Sequence, residues 1–511
     1  MSVAARLWNR DPAWIAVLAS LVLSFIAVMT DDVINSDGIL YVEVATKVLQ
    51  GDWAAANALY KWPFYSYLIA AFSVITSLGL ETSAHLINAL LLSLLAYAFV
   101  RCSEELGGEH RVAMFAVILL ITSIPVNDYR DLIVRDFGYW AFFFTAILFF
   151  LRYINTNEKK QAMGFVASMI IATLFRIEGI VFVLMMPLLL LFQQGGMKER
   201  FIKFSIILSP IVIISMLVGV YIVINSPQDV GRLFDGLYHL EKALNNITSG
   251  IAHKGDLIVQ YVIGNNNRSM GTESILAILI MIFVMKILKT TGIVSVLFSI
   301  LTLRSEEQCK KINGLSVILG VIAINVLVLA VFLLSKSFLS SRYVITLSLL
   351  ITLLASFALS AFFSGELKQT ILKKTVWQKR AKIFLVVVFI YTLLDGITSF
   401  SPSKSYMRES GVWLKNNMIA SERLFANEAS LRYYAGRSSD RRNTHDFSLK
   451  TLRGRLPGAY ILEEMNYTFV AIKIGRKQSG FDKKVIEWAG SQPVHQTGNE
   501  RGDKVLIFKL K

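Results

Sequence analysis

Between Trp14 and Phe400 the chain is a series of apolar runs of about 15–24 residues separated by short polar loops. A helix needs roughly 20 apolar residues to cross a bilayer, and a barrel strand only about 9–11. In lipid every backbone polar group must be satisfied internally, which leaves helices and closed barrels, and these runs are too long for barrel strands. The pattern predicts a polytopic α-helical membrane protein of about 11 transmembrane helices, near 14–30, 84–101, 111–126, 138–153, 161–176, 179–193, 201–225, 274–290, 314–335, 342–364 and 382–400. The first run is not followed by a small-residue cleavage site, and many spans come after it, so it reads as a retained helix rather than a signal peptide. A further apolar stretch at 64–80 follows a proline and is rich in Tyr and Ser. Counting it as a full span breaks the charge alternation beyond it, so it reads as re-entrant or interfacial.

A net charge of +16 would suggest nucleic acid in a soluble chain. Here the Lys and Arg residues sit at the ends of loops, where they set topology, and no nucleic-acid motif accompanies them. The charge bias groups the N-terminus (Arg6, Arg10) with 101–111, 152–160, 198–203, 286–311 and 368–382 on the cytosolic side. The opposite side takes 31–62, 127–137, 226–273, 336–341 and the tail. The stretch 291–303 either extends the eighth span or lies on the cytosolic surface. Residues 1–400 therefore form the membrane domain, with 31–62 as first outer loop and 226–273 as a large outer loop. In the tail, 401–511, apolar runs shorten and charges multiply. "ESGVWLKNN" has helical patterning, while "YTFVAIKI" and "KVLIFKL" concentrate strand formers. A small α/β domain is expected there.

Ionisable residues cluster where chemistry could use them. Asp31, Asp32 and Asp37 fall just outside the first span, before an amphipathic stretch from Leu40 to Leu49 in which Val44, Ala45, Val48 and Leu49 cluster. Exposed acids are commonly just solvated, so composition alone favours a plain acidic loop. "YKWPFYSYL" carries Lys61, which could equally snorkel beside Tyr60 and Trp62. "NDYRDLIVRDFGYW" opens a span with Arg135 and Asp136, where local pairing (Arg130 with Asp131, Arg135 with Asp136) is the simpler alternative. "TLFRIEGIVFVL" places Arg176 and Glu178 between two apolar runs, where ionisable groups are costly and tend to be functional; a short turn capped by Gly179 is the alternative. "SKSFLSSRYVI" opens a late span with Arg342 and Tyr343, residues that also serve as interface anchors. The charge-derived topology puts the loops of Asp37 and Asp136 on one side.

In this order the motifs resemble the GT-C fold glycosyltransferases. Bacterial protein O-mannosyltransferases and lipid A aminoarabinose transferases carry Asp-Glu-x-x-Tyr after the first span; here it is Asp37-Gly38-Ile39-Leu40-Tyr41, with Gly38 in place of the Glu. "YKWPFYSYL" resembles the family's Lys-Pro-Pro-Leu-Tyr-Tyr-Trp, with Lys61 matching the Lys, Pro63 the second Pro and Trp62 replacing the first. Arg135-Asp136, Arg176-x-Glu178-Gly179 and Arg342-Tyr343 match elements at corresponding places, and "YYAGR" at 433–437 is similar to the tails of bacterial members.

The resemblance implies an inverting transfer of a sugar from a polyprenyl-phosphate donor to a lipid, glycan or protein acceptor. Asp37 would be the general base, with Asp136 as second catalytic acid orienting the acceptor or a cation. Lys61, Arg176 and Arg342 would bind the donor phosphate, and Tyr41, Arg135, Glu178 and Tyr343 would contact substrate. Some relatives place an acidic metal ligand just before the Lys. Tyr60 stands there, so the resemblance fixes no cofactor, and a divalent cation stays an open question. The implied setting is a bacterial inner membrane with a cytoplasmic N-terminus, a periplasmic or extracellular tail, and membrane lipids as neighbours. Two other classes stay open. A polysaccharide polymerase or ligase of the O-antigen type would place its residues in 226–273, which holds Arg232, His239, His253 and Arg268. A secondary transporter would carry repeated halves, and no repeat is evident.

Overall fold

The computed structural model describes residues 10–30, 32–225, 247–264, 269–366, 375–397, 403–438, 467–478 and 480–510. In chain order the principal elements are α1 (Pro12–Thr30), α2 (Ser36–Leu49), α3 (Trp53–Leu59), α4 (Phe64–Thr76), α5 (Leu80–Glu105), α6 (His110–Ile121), α7 (Asp136–Thr156), α8 (Lys159–Phe175) and α9 (Gly179–Met185). They continue with α10 (Met197–Asn225), α11 (Gly271–Thr291), α12 (Ile293–Arg304), α13 (Leu315–Lys336), α14 (Ser341–Ser364), α15 (Thr375–Ile397) and α16 (Ser405–Asn417). Strand β1 (Leu424–Ala426), α17 (Ala429–Tyr434), β2 (Phe469–Ile474), α18 (Phe481–Ala489), β3 (His495–Gly498) and β4 (Lys504–Lys509) complete the chain. Among the described residues, seven helices (α1, α5, α7, α10, α11, α13, α14) are long and apolar enough to cross a membrane, and α4, α6, α12 and the segment Gly179–Phe192 are shorter apolar pieces. The protein is a multi-pass membrane protein. Helix α4 has 13 residues, about 20 Å at 1.5 Å each, short of a hydrocarbon core about 30 Å thick.

The chain divides into two compact units. The first comprises 1–23, 89–129 and 135–396. At its heart is α14, whose apolar window is 94% buried. A helix apolar all round is stable when neighbours cover every face. Here α12 covers one face, where the Thr302 hydroxyl donates to the Leu354 carbonyl at 2.8 Å and accepts from the Ala358 N–H at 3.2 Å. Another face packs Leu347 and Val344 against Leu279, Leu329 and Leu333 of α11 and α13. Helices α7 and α8 join through aromatic contacts such as Phe150–Phe165, with ring centroids 5.0 Å apart.

The segments that loop charge groups on the cytosolic side meet at one end of this unit. Arg101 pairs with Asp11, and Arg152 with Glu105 at 2.8 Å. The Asn313 N–H donates to the Leu106 carbonyl, and Lys311 pairs with Glu366. The Tyr153 hydroxyl donates to the Lys203 carbonyl. One boundary needs correction. Segment 286–311 does not lie wholly at that end, because the eighth apolar run is two helices broken at Gly292, whose φ is +77°. Thr290 accepts a hydrogen bond from Ser348, early in α14, and α12 then travels alongside α14. Only from about Arg304 does the chain reach the charged end. The expected eighth span, 274–290, stops two residues short of this break, and the stretch 291–303, left open between span and surface, is the separate helix α12.

The second unit comprises 24–88, 130–134 and 397–511. Its sheet has the order β1-β2-β4-β3, with β1 and β2 parallel and the other pairs antiparallel. Strand alternation gives two apolar faces. Phe469, Ala471, Val505 and Ile507 pack with Met407 and Leu414 of α16, while Val470, Ile472, Leu506 and Phe508 pack with Val485 of α18. The expected helix and both expected strands are present. Helix α2 starts at Ser36 and buries Gly38, Ile39, Tyr41, Val42, Val44 and Ala45. The expected grouping with Val44 fails at Leu49, which is 46% exposed at the last position of the helix.

Gly138 in α7 faces Phe175, and an added Cβ would fall within its ring. Phe175 is 1% exposed and has nowhere to go. Gly138→Ala should therefore cost about 1–3 kcal/mol of stability. Thermal unfolding in detergent checks this, and an unchanged midpoint would mean the ring gives way freely.

Candidate functional site

The first unit gathers five of the residues singled out in the sequence. Asp136 opens α7, Arg176 and Glu178 form the turn between α8 and α9, and Arg342 and Tyr343 lie in the first turn of α14. The Asp136 and Arg176 side chains are each 6% exposed, and an Arg176 Nη1 hydrogen bond joins them through Asp136 Oδ1. Asp136 Oδ2 faces Arg342 Nη1 at 3.8 Å. On its other edge Arg176 holds Glu178 in a two-pronged contact, Nη2 to Oε1 at 2.6 Å and Nε to Oε2 at 3.3 Å. The Arg176 guanidinium also lies over the Tyr343 ring, 4.2 Å from its centroid, and 5.6 Å from that of Tyr139. Planar guanidinium suits this combination of fork and stack in a way Lys does not. Burial alone would raise the Glu178 carboxyl, but the charge and hydrogen bonds of Arg176 outweigh it and hold the group below its ordinary range. Half-buried Arg135 adds to that field.

These groups line a small, partly open cavity of about 30 Å³, walled by Arg176, Glu178, Arg342, Tyr343 and Tyr139, with Asn325 and Thr346 among the remaining polar walls. Two cations face two carboxylates in this cluster, and the carboxylates are committed to guanidinium. The acids here do not fit a divalent cation, since both Asp136 oxygens face Arg nitrogens and both Glu178 oxygens hold Arg176. Among the described residues, no group of three or more His, Cys, Asp or Glu side chains comes together. Asp136 makes a long-range pair with Arg176.

Sequence reading missed Tyr139, Asn325 and Thr346. Helical spacing carried a signal for two of them: Tyr139 is three residues after Asp136, and Thr346 four after Arg342, so each shares a face with a residue already chosen. Asn325 lies in the most apolar run of the chain, where a lone amide is the only mark.

The second unit places Asp37 in the first turn of α2, half-buried at the positive end of the helix. Its approach is fixed by Asn35, whose amide donates to the Ile133 carbonyl at 3.2 Å and accepts from the Ile133 N–H at 2.8 Å. The tail adds the Tyr434 hydroxyl, which accepts from the Ile34 N–H at 3.0 Å, and the Lys404 N–H, which donates to Asp32 at 2.8 Å. Tyr41 is 6% exposed, its ring edge-on to Tyr60 and Tyr65. Lys61 is exposed in the turn between α3 and α4. Arg130 is buried and donates to the Ser24 hydroxyl at 2.9 Å. Of the loop 226–273, His253 is exposed, while Arg232, His239 and Arg268, like Asp31, lie outside the described residues.

Removing one partner of a buried ion pair strands the other charge, typically at a cost of about 3–5 kcal/mol. Asp136→Ala should lose that much stability, and Asp136→Ala combined with Arg176→Met should regain part of it. Unfolding midpoints of the single and double variants measure this; a single variant as stable as wild type would show that Glu178 alone suffices for Arg176.

No protein-family model matches the chain, and no curated protein matches it in sequence. Solved structures do. The archaeal oligosaccharyltransferase AglB from Archaeoglobus fulgidus, in complex with an inhibitory peptide and a dolichol-phosphate, is similar with a TM-score of 0.52 and 11% identity, over 96% of this chain and 72% of that one. A second structure of the Archaeoglobus fulgidus oligosaccharyltransferase, with Zn and sulfate, gives 0.53 and 11% over 94% and 70%. ArnT from Cupriavidus metallidurans gives 0.49 and 12% over 99% and 98%. At these identities the likeness is one of fold, and the fold is that of the GT-C membrane glycosyltransferases.

Proposed function

We propose that the chain is an inverting glycosyltransferase that takes a sugar from a polyprenyl-phosphate donor and passes it to a lipid, glycan or protein acceptor on the outer face of the membrane. The observation that carries the reading is the pair of guanidiniums, Arg176 and Arg342, held against Asp136 at the wall of a cavity in a membrane-embedded unit. A lipid phosphate leaving group needs fixed cations where its charge develops, and cations already positioned need no reorganisation during reaction. The shared fold supports the donor class, since the archaeal relative was solved with a dolichol-phosphate.

In this reading Arg342, 26% exposed at the cavity wall, is the cation that meets the phosphate, and Lys61 keeps the phosphate-binding role that the resemblance gives it. Asp136 positions the two guanidiniums. Tyr343 supports Arg176 from its open face. Asp37 takes the proton from the acceptor hydroxyl as it attacks the anomeric carbon, and the C–O bond to the phosphate breaks with inversion. A base of this kind contributes about 10²–10⁴-fold. Tyr41, packed against two other tyrosines, holds the α2 backbone behind Asp37.

The test is transfer in nanodiscs from synthetic polyprenyl-phosphate sugars to a membrane lipid extract, with release of free sugar as second readout. Wild type should turn over. Asp37→Asn should lose activity by at least about 10²-fold while still binding the carrier, and Arg342→Ala should weaken carrier binding itself. Full activity of Asp37→Asn would move the base elsewhere. Absence of turnover with every donor, together with solute uptake in proteoliposomes, would replace the reading with a transporter.

A further inference from the structure

The cavity has an end that the phosphate chemistry leaves unused. Asn325 is 2% exposed on α13, amid a run of Leu, Val and Ile, and its Nδ2 donates to the Thr346 hydroxyl at 3.2 Å. Thr346 is likewise 2% exposed. A hydrogen bond between membrane helices contributes on average about 0.6 kcal/mol. That is small against the cost of placing a primary amide in the bundle, because an amide offers two N–H donors and a carbonyl acceptor. Among the described residues, the bond to Thr346 uses one donor and leaves the carbonyl oxygen and the other N–H. Both residues line the same cavity as Arg176 and Arg342.

Position defines what this pair would meet. Thr346 follows Arg342 by four residues in α14, so it lies one turn along the same face, about 5.4 Å further on. A group attached to a phosphate at Arg342 therefore reaches the amide and hydroxyl after roughly the width of one sugar ring. Both are neutral and can donate and accept, which suits a hydroxyl, whereas a second phosphate would find no counter-charge in them.

We propose that Asn325 and Thr346 form the sugar-recognising end of this cavity and hydrogen-bond a ring hydroxyl of the monosaccharide carried on the lipid phosphate. The inference rests on the glycosyltransferase reading. It makes the pair specificity-determining: a site built to hydrogen-bond a hydroxyl discriminates strongly against the analogue lacking it, because its own buried polar groups are then left unpaired.

The experiment uses the full chain in nanodiscs. A panel of polyprenyl-phosphate hexoses and pentoses identifies the donor that wild type turns over fastest, and monodeoxy analogues of that donor are compared with the sugar-free polyprenyl phosphate. Thr346→Val preserves shape, and Asn325→Ala removes the amide. Both should lower kcat/KM for the parent donor by about 10²-fold or more, and leave binding of the sugar-free carrier within about twofold. With one monodeoxy donor, wild type should fall to the level of the variants and the variants should fall no further. Thr346→Ser should restore most of the rate and guards against a misfolded Thr346→Val. Unchanged discrimination among donors, or equal loss of sugar-free carrier binding, would overturn the inference and leave the glycosyltransferase reading intact. Failure of wild type to bind the sugar-free carrier would overturn both.

Discussion

Arg176 carries a permanent charge on a side chain that is 6% exposed in a unit built of apolar helices. Such a charge persists only where carboxylates and hydrogen bonds replace its water. Asp136 and Glu178 provide them, and the choice of those two residues ties together the start of α7, the turn between α8 and α9 and, through Arg342, the start of α14. The arrangement explains local features that have no other purpose. Gly138, two residues into α7, lets Phe175 lie against the helix so that the next residue, Arg176, arrives beside Asp136. The stack on Tyr343 fixes the guanidinium plane. Arg342, 26% exposed and 3.8 Å from Asp136, sets a second guanidinium at the cavity wall.

The same physics decides how much could be read in advance. Loop charge bias grouped segments that are far apart in sequence, and the contacts of Glu105, Leu106, Lys311 and Lys203 with one another's segments reproduce that grouping. The rule depends only on which residues flank each apolar run. It did not resolve the stretch 291–303, which follows Lys286 and Lys289 yet runs on past Gly292 as the apolar helix α12. Asp136, Arg176 and Arg342 were legible because an ionisable residue beside an apolar run is conspicuous. Their partners were not: nothing in the sequence joins Asp136 to Arg176, forty positions away.

Asn325 shows the other limit. A single amide in a long apolar helix has two ordinary explanations, a bond to a neighbouring helix or a role toward a ligand, and sequence cannot separate them. The separation comes from counting hydrogen-bonding positions against partners and from the cavity beside it.

Gly38 bears on the departure from the resembling motif. A Cβ at this position would stand 2.8 Å from the Asn35 Oδ1 and 2.9 Å from the Ile133 Cβ. Any side chain there, an acid included, would push apart the Asn35–Ile133 pairing that holds the approach to Asp37. The glycine is therefore coupled to a particular loop packing. Restoring the family's Glu alone would add a carboxylate at the expense of the geometry that presents the one already there. The missing acid and the tight loop are one structural choice, and it leaves Asp37 as the carboxylate of that motif.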